Sequence, residues 1–185
     1  MGPHDCRTLS DNVQVCEPAD GGKARKVSPA ELALAKWARM PIPAPVVRTA
    51  PPRGSGGLVG LPEWFWVTNW HTRSGRVAAR GVWVVVTARP QSMTIDPGHG
   101  RPVVRCSGPG TAYDKSRAAA AQRTDCSYTF SQSSLHEPGR AYRVQVSVTW
   151  GGTWRGSDGS GGVLPPLSRS TTFRLRVAEA QSLYG

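Results

Sequence analysis

Alternation of apolar and polar residues is clearest in residues 141–150. The apolar positions would share one side of an extended chain, namely Tyr142, Val144, Val146, Val148 and Trp150. The polar positions between them are Arg143, Gln145, Ser147 and Thr149. A period of two predicts a β-strand with one buried face. Residues 171–177 repeat the pattern after a Gly-rich stretch, so the two segments predict an antiparallel β protein.

Further strand candidates precede this pair along the chain. They are residues 64–70, 81–88, 92–96, 102–106 and 126–130. Clusters of Gly, Pro, Asp and Ser separate these segments and are typical of tight turns. Short strands at this spacing predict a β-sandwich.

One α-helix is predicted over residues 28–40. Ser28 and Glu31 form a capping-box pattern at its start, and Pro41 ends it. A helix this short is marginal in isolation, so we expect it to dock against another surface. The side chains expected to make that contact are Leu34 and Trp37.

The segments differ enough in composition to predict a domain organisation. The expected parts are a disulfide-stapled, flexible N-terminal segment (1–27), the helix (28–40), a Pro/Gly-rich linker (41–57), a β-sandwich domain (58–180) and a C-terminal tail (181–185). The linker is expected to be extended and partly polyproline-like. The N-terminal arm up to residue 60 is not expected to form a compact domain alone.

The net charge of +11 comes almost entirely from arginine. An arginine-rich composition is typical of GC-rich genomes, and it also favours attraction to polyanions. Most of the excess lies within residues 61–185, which carry 15 basic and 7 acidic side chains. Arg143, Arg174 and Arg176 occupy polar positions of the predicted strands, so they are candidates for an anion-binding face.

The four cysteines fall into two local pairs, Cys6 with Cys16 and Cys106 with Cys126. Four cysteines allow three pairings, and we expect the local one. Such usage is typical of oxidising compartments, so the protein is expected to be extracellular or on the cell surface. No signal peptide and no run long enough to span a bilayer is evident in the sequence.

Tryptophans form the second group of candidate binding residues. Trp66, Trp83 and Trp150 are expected in the core, since tryptophan is usually well buried. Trp64, Trp70 and Trp154 are candidates for exposed contacts to a glycan or a protein, for which aromatic side chains are suited.

No catalytic motif, metal site or cofactor site is predicted. The histidines are widely spaced, at His4, His71, His99 and His136, and neither a zinc motif nor a nucleophile elbow is present. We therefore expect a non-enzymatic exported binding or assembly module, with a protein partner or self-assembly favoured and a polyanion or glycan as a further ligand class. The alternative is a small basic secreted enzyme or toxin acting on nucleic acid or cell wall. It would require two of the four residues Glu63, His71, His99 and His136 to lie within hydrogen-bond reach in a cleft.

Four runs resemble a group of actinobacterial exported proteins of unknown function. The runs are residues 28–33 (Ser-Pro-Ala-Glu-Leu-Ala), 56–66, 106–113 (Cys-Ser-Gly-Pro-Gly-Thr-Ala-Tyr) and 125–130. Proteins of this group are often labelled ATP/GTP-binding, but this chain has no Walker motif. The resemblance implies export and does not imply an activity.

Another resemblance is to PKD-type immunoglobulin-like domains. Residues 96–100 resemble the Gly-Asp-Gly turn of these domains, and residues 138–146 resemble their Pro-Gly-x-Tyr-x-Val-x-Val strand with one residue inserted. The long segment between Cys106 and Cys126 departs from the pattern. This resemblance implies a β-sandwich used for adhesion, spacing or contacts with carbohydrates and proteins.

Overall fold

The computed structural model describes residues 4–8, 14–18 and 27–179. The described residues are mostly β, with antiparallel sheets and one α-helix, as the sequence predicted. The strands are β1 (His4–Thr8), β2 (Gln14–Pro18), β3 (Val47–Ala50), β4 (Gly57–Leu58), β5 (Pro62–Val67), β6 (Arg73–Ala79), β7 (Val82–Asp96), β8 (Val104–Cys106), β9 (Ser127–Thr129), β10 (Tyr142–Gly156), β11 (Gly161–Leu175) and β12 (Val177–Ala178). The helix, α1, is Pro29–Ala38.

The largest sheet has the strand order β11-β10-β7-β6, and β8 pairs with the far end of β7. Alternation in β10 continues beyond Trp150 to Gly156, with the even-numbered side directed inward. Irregularities on both sides of Trp150 shift the register with β7 and β11. Such bulges let long strands bend while keeping the same face against the core.

A three-stranded sheet, β3-β5-β9, and a parallel pair, β4-β12, complete the main body. Their buried side chains belong to the same hydrophobic core as those of the largest sheet. Phe65 of β5 and Val144 and Val146 of β10 are fully enclosed there. The largest sheet and these smaller elements therefore contribute side chains to one hydrophobic core.

Helix α1 begins with the predicted capping box, in which Ser28 Oγ accepts a hydrogen bond from Glu31 N at 3.4 Å. Trp37 is buried, and its Nε1 donates to the carbonyl oxygen of Pro165 at 2.9 Å. Its ring occupies space that a side chain at Gly152 would fill. Leu34, however, is 50% exposed. Its predicted docking is wrong because Ala33 and Trp37, four residues apart, form the stripe that contacts the sheet.

Several elements differ from their predicted extent. The predicted strands 81–88 and 92–96 are parts of one strand, β7, which begins at Val82, and β6 was not predicted. The segment predicted as a linker contains β3, which pairs with β5 from Val47↔Val67 to Ala50↔Trp64. Extended backbone was expected in this segment. Its pairing was not predicted because the partner strand, β5, follows only after the Gly-rich residues.

The disulfide between Cys106 and Cys126 is present, as predicted. In the hairpin of β1 and β2 the register places Cys6 opposite Cys16. Their side chains lie outside the described part of the structure, as does the predicted tail, 181–185. The pairing of Cys6 with Cys16 and the division into domains stay predictions.

Candidate functional site

The outward face of the largest sheet carries an unusual concentration of arginine. Because side chains alternate along each strand, those between the buried positions point away from the core. The arginines on this face, all exposed, are Arg76, Arg89, Arg105, Arg143, Arg155 and Arg174. Asp96 is the one carboxylate among the outward positions of these described strands. We call this surface the arginine face.

Serine and threonine occupy most positions between these arginines. Ser147 of β10 lies opposite Ser170 of β11, and their hydroxyl oxygens are 2.8 Å apart. Thr94 of β7 continues the same row on the other side of β10. An open recess lies at one end of the face, and its outward lining includes Arg89, Thr153 and Arg155.

Arg143 and Arg174 lie directly opposite each other in the register of β10 and β11. Like charges in such cross-strand pairs repel and are destabilising. Among the described residues neither forms an ion pair, although Arg174 donates to the carbonyl oxygen of Pro138 at 3.4 Å. Two neighbouring guanidinium groups are therefore available to an external anion.

Arg176 is exposed but lies outside the arginine face. It follows the end of β11 and precedes β12, where it lines an open recess with His136, Glu137 and Arg140. The sequence therefore identified Arg143 and Arg174 of this face. The sequence analysis missed the other four arginines of the face, which are Arg76, Arg89, Arg105 and Arg155. They lie on four different strands and are far apart in the chain, and one of these strands, β6, was not predicted.

The three tryptophans predicted as candidates for exposed contacts are buried or half-buried. Trp64 is 8% exposed, and Trp70 and Trp154 are half-buried against the core. Trp150 is fully buried, as expected. Trp66 and Trp83 are only half-buried, because both lie on outward faces of their strands. The guanidinium of Arg76 lies 4.6 Å from the centre of the Trp83 ring.

The residues considered for catalysis do not come together. Among residues 27–179, no hydrogen bond or ion pair joins any two of Glu63, His71, His99 and His136. His99 instead contacts Glu137, with Nε2 3.2 Å from Oε2. No group of three or more His, Cys, Asp or Glu side chains in the described part of the chain is placed to hold a metal ion.

Glu63 is the most unusual ionisable group of the described chain. Its side chain is 2% exposed, and neither carboxyl oxygen has a hydrogen-bond partner among the described residues. Burial raises its pKa from 4.5 to about 7, and the nearby Thr49 opposes this shift in part. The Thr49 hydroxyl donates its proton to the carbonyl oxygen of Pro51 at 2.7 Å. Glu63 is therefore a buried carboxyl group without a charged partner in the described structure.

Comparisons with family models, curated proteins and solved structures found no match. Within the part of the chain that is described, no helix has the length and apolar character needed to cross a membrane.

Proposed function

We propose that this chain is a non-enzymatic exported binding or assembly module of the cell surface or an extracellular complex. In this proposal the fold is an immunoglobulin- or PKD-like β-sandwich, and the arginine face attaches it to an anionic polymer. The observation that carries the proposal is the charge of that face, which has six arginines and a single carboxylate among its described positions. Support for the sandwich comes from the core that the largest sheet shares with the β3-β5-β9 sheet.

The spacing of the charges favours an extended ligand over a small ion. Arg143 and Arg155 lie near opposite ends of β10, which places them about 40 Å apart along an extended strand. A sulfate or phosphate ion would contact one end alone. A polymer with repeated anionic groups can contact both ends, and it gains free energy from the counterions that it releases.

Arginine suits this role better than lysine. Its planar guanidinium forms paired hydrogen bonds to carboxylate, sulfate or phosphate groups. The hydroxyl groups between the arginines are further donors to the same anions. The face therefore matches the shared chemistry of acidic polysaccharides and polyphosphates.

Retention on immobilised heparin over a salt gradient tests the proposal. The variant R143S/R174S removes the adjacent pair, and R105S/R155S removes arginines from two other positions of the face. Each is expected to elute at lower salt than the wild type. The slope of binding against salt should fall by about one unit for each arginine that no longer binds an anionic group.

The matched control is R39S/R117S, which removes the same charge from exposed positions outside the arginine face. It is expected to retain most of the wild-type behaviour. Equal losses in all three variants would mean that only net charge matters, and the arginine face would not be the site. Teichoic acid and a nucleic acid, tested as competitors, distinguish the sources of the anion.

A further inference from the structure

A groove on a different sheet from the arginine face has a different chemistry. It lies on the outer face of the β3-β5-β9 sheet and has a volume of about 750 Å³. Trp64 and Trp66 of β5 form its floor, and Tyr113 stands edge-on to Trp64 with ring centres 5.2 Å apart. This volume lies in the usual range for ligand pockets.

The loop over residues 107–125 forms one wall of the groove and is held in place by several contacts. The Cys106–Cys126 disulfide closes it, and Val67 N donates to the carbonyl oxygen of Pro109 at 2.8 Å. Within the loop, the Gln122 side chain accepts a hydrogen bond from Asp114 N at 2.9 Å and donates to Asp114 O at 2.9 Å. The groove is thus formed before any ligand binds, which lowers the ordering cost of binding.

Cations surround the groove without acidic partners. Arg48, Lys115 and Arg123 line it, and none of them forms an ion pair with another described residue. The carboxylates of the loop, Asp114 and Asp125, are not among the lining residues. The ligand is therefore expected to carry negative charge.

Most of the remaining lining is apolar and suits a hydrocarbon surface. The contributing side chains are Ala50, Pro51, Pro52, Leu61, Pro62 and Ala119. A sugar ring presents hydroxyl groups around its edge, and these need acceptors as well as donors. Several polar groups of the lining already have partners: Gln122 makes three hydrogen bonds within the loop, and the Thr49 and Thr124 hydroxyls bond to backbone groups. Aromatic grooves of this kind bind proline or aromatic side chains of extended peptides.

We propose that this groove binds a short acidic peptide segment of a partner protein, with an aromatic or proline side chain seated on Trp66 and Tyr113 and carboxylates at Arg48, Lys115 and Arg123. The site is separate from the arginine face, and neither depends on the other.

A random heptapeptide library displayed on phage, selected on the immobilised full chain, tests the occupant. Enriched peptides are expected to contain aspartate or glutamate next to an aromatic residue or proline, at well above their frequency in the starting library. Failure to enrich any peptide, or enrichment of peptides without acidic residues, would overturn the proposal.

The most enriched peptide, labelled with a fluorophore, then tests the place of binding by anisotropy. The variant R48S/R123S is expected to bind it about tenfold more weakly, because it removes two charge-assisted hydrogen bonds to the peptide carboxylates. Both positions are exposed, so the variant is expected to fold, and its urea midpoint checks this. The variant W66A is expected to weaken binding further, since the floor of the groove is removed.

The control R143S/R174S removes the same charge from the arginine face and is expected to bind the peptide within about twofold of the wild type. Equal weakening in the control would show that net charge alone attracts the peptide, and the groove would be excluded. An acidic oligosaccharide that displaces the peptide and binds more tightly, and that R48S/R123S binds equally poorly, would identify a glycan site and overturn the peptide proposal.

Discussion

Replacing Glu63 with glutamine is expected to change how stability depends on pH. Both carboxyl oxygens of Glu63 are buried without a hydrogen-bond partner in the described structure, and a side chain at Gly57 would come within 2.8 Å of Oε2. The carboxyl therefore lies against the backbone of β4, where water cannot solvate its charge. Burial raises the pKa of this group to about 7 in the folded protein.

The sign of the effect follows from the protons bound in each state. Between pH 4.5 and 7 the folded protein keeps the Glu63 proton, whereas the unfolded chain releases it. Ionising the buried Glu63 carboxyl is costly in the folded protein, so this group destabilises the fold increasingly as the pH rises. The free energy of unfolding therefore falls with increasing pH. The pKa shift lowers the free energy of unfolding by about 3 kcal/mol in total once Glu63 is ionised. About 2.5 kcal/mol of this decrease occurs between about pH 5 and pH 8.

Urea unfolding followed by tryptophan fluorescence, at intervals from about pH 5 to pH 8, measures this decrease. Other groups also titrate, so the relevant quantity is the difference between wild type and E63Q at each pH. We expect the variant to gain about 2.5 kcal/mol relative to the wild type over this range, since its amide cannot ionise. E179Q, which alters an exposed carboxylate, is the control and is expected to follow the wild type.

Parallel curves for wild type and E63Q across this range would refute the reasoning. They would mean that the carboxyl finds water or a cation in the folded protein and that its pKa is close to 4.5. A wild type that gains stability relative to E63Q as the pH rises would require a favourable partner for the ionised group.

Two further predictions concern the contacts that hold the loop and the helix. Replacing both Cys106 and Cys126 with serine should lower the free energy of unfolding by about 3 kcal/mol. The disulfide joins cysteines with a sequence separation of 20, and without it the unfolded chain gains conformational entropy. Urea unfolding measures the decrease, and free thiols in a non-reduced digest of the wild type would contradict the pairing. Replacing Trp37 with alanine should cost about 3–5 kcal/mol, because it removes a buried ring and the hydrogen bond to Pro165. Leu34→Ala, at a half-exposed position of the same helix, is its control and should stay within about 0.5 kcal/mol of the wild type.

The parts of the fold that the sequence predicted correctly depend on local patterns. Alternation in residues 141–150 determines which side of β10 is buried, and the capping box determines where α1 begins. Each signal lies within a few residues of the chain. The Cys106–Cys126 pairing was also predictable, since a local loop favours it over distant pairings.

The elements that were missed depend on contacts between distant residues. Strand β3 pairs with β5 across the Pro/Gly-rich segment, and neither its length nor its composition distinguishes it from a connector. Leu34 and Trp37 were equally apolar candidates, and only the position of Gly152 on β10 shows which side chain has space to dock. The groove likewise combines lining residues from separate segments of the chain, so no local sequence motif predicts it.

The arrangement of the two proposed sites favours a bridging role. The arginine face lies on the outward side of the largest sheet, and the groove lies on the outer face of the β3-β5-β9 sheet, so the two sites belong to different sheets. Because the two sites have no residue in common, substitutions at one are expected to leave the free energy of binding at the other unchanged. A cationic face that extends along the strands matches an extended anionic polymer, whereas a preformed apolar groove selects a particular segment. A module that carries both can hold a specific protein against an anionic matrix.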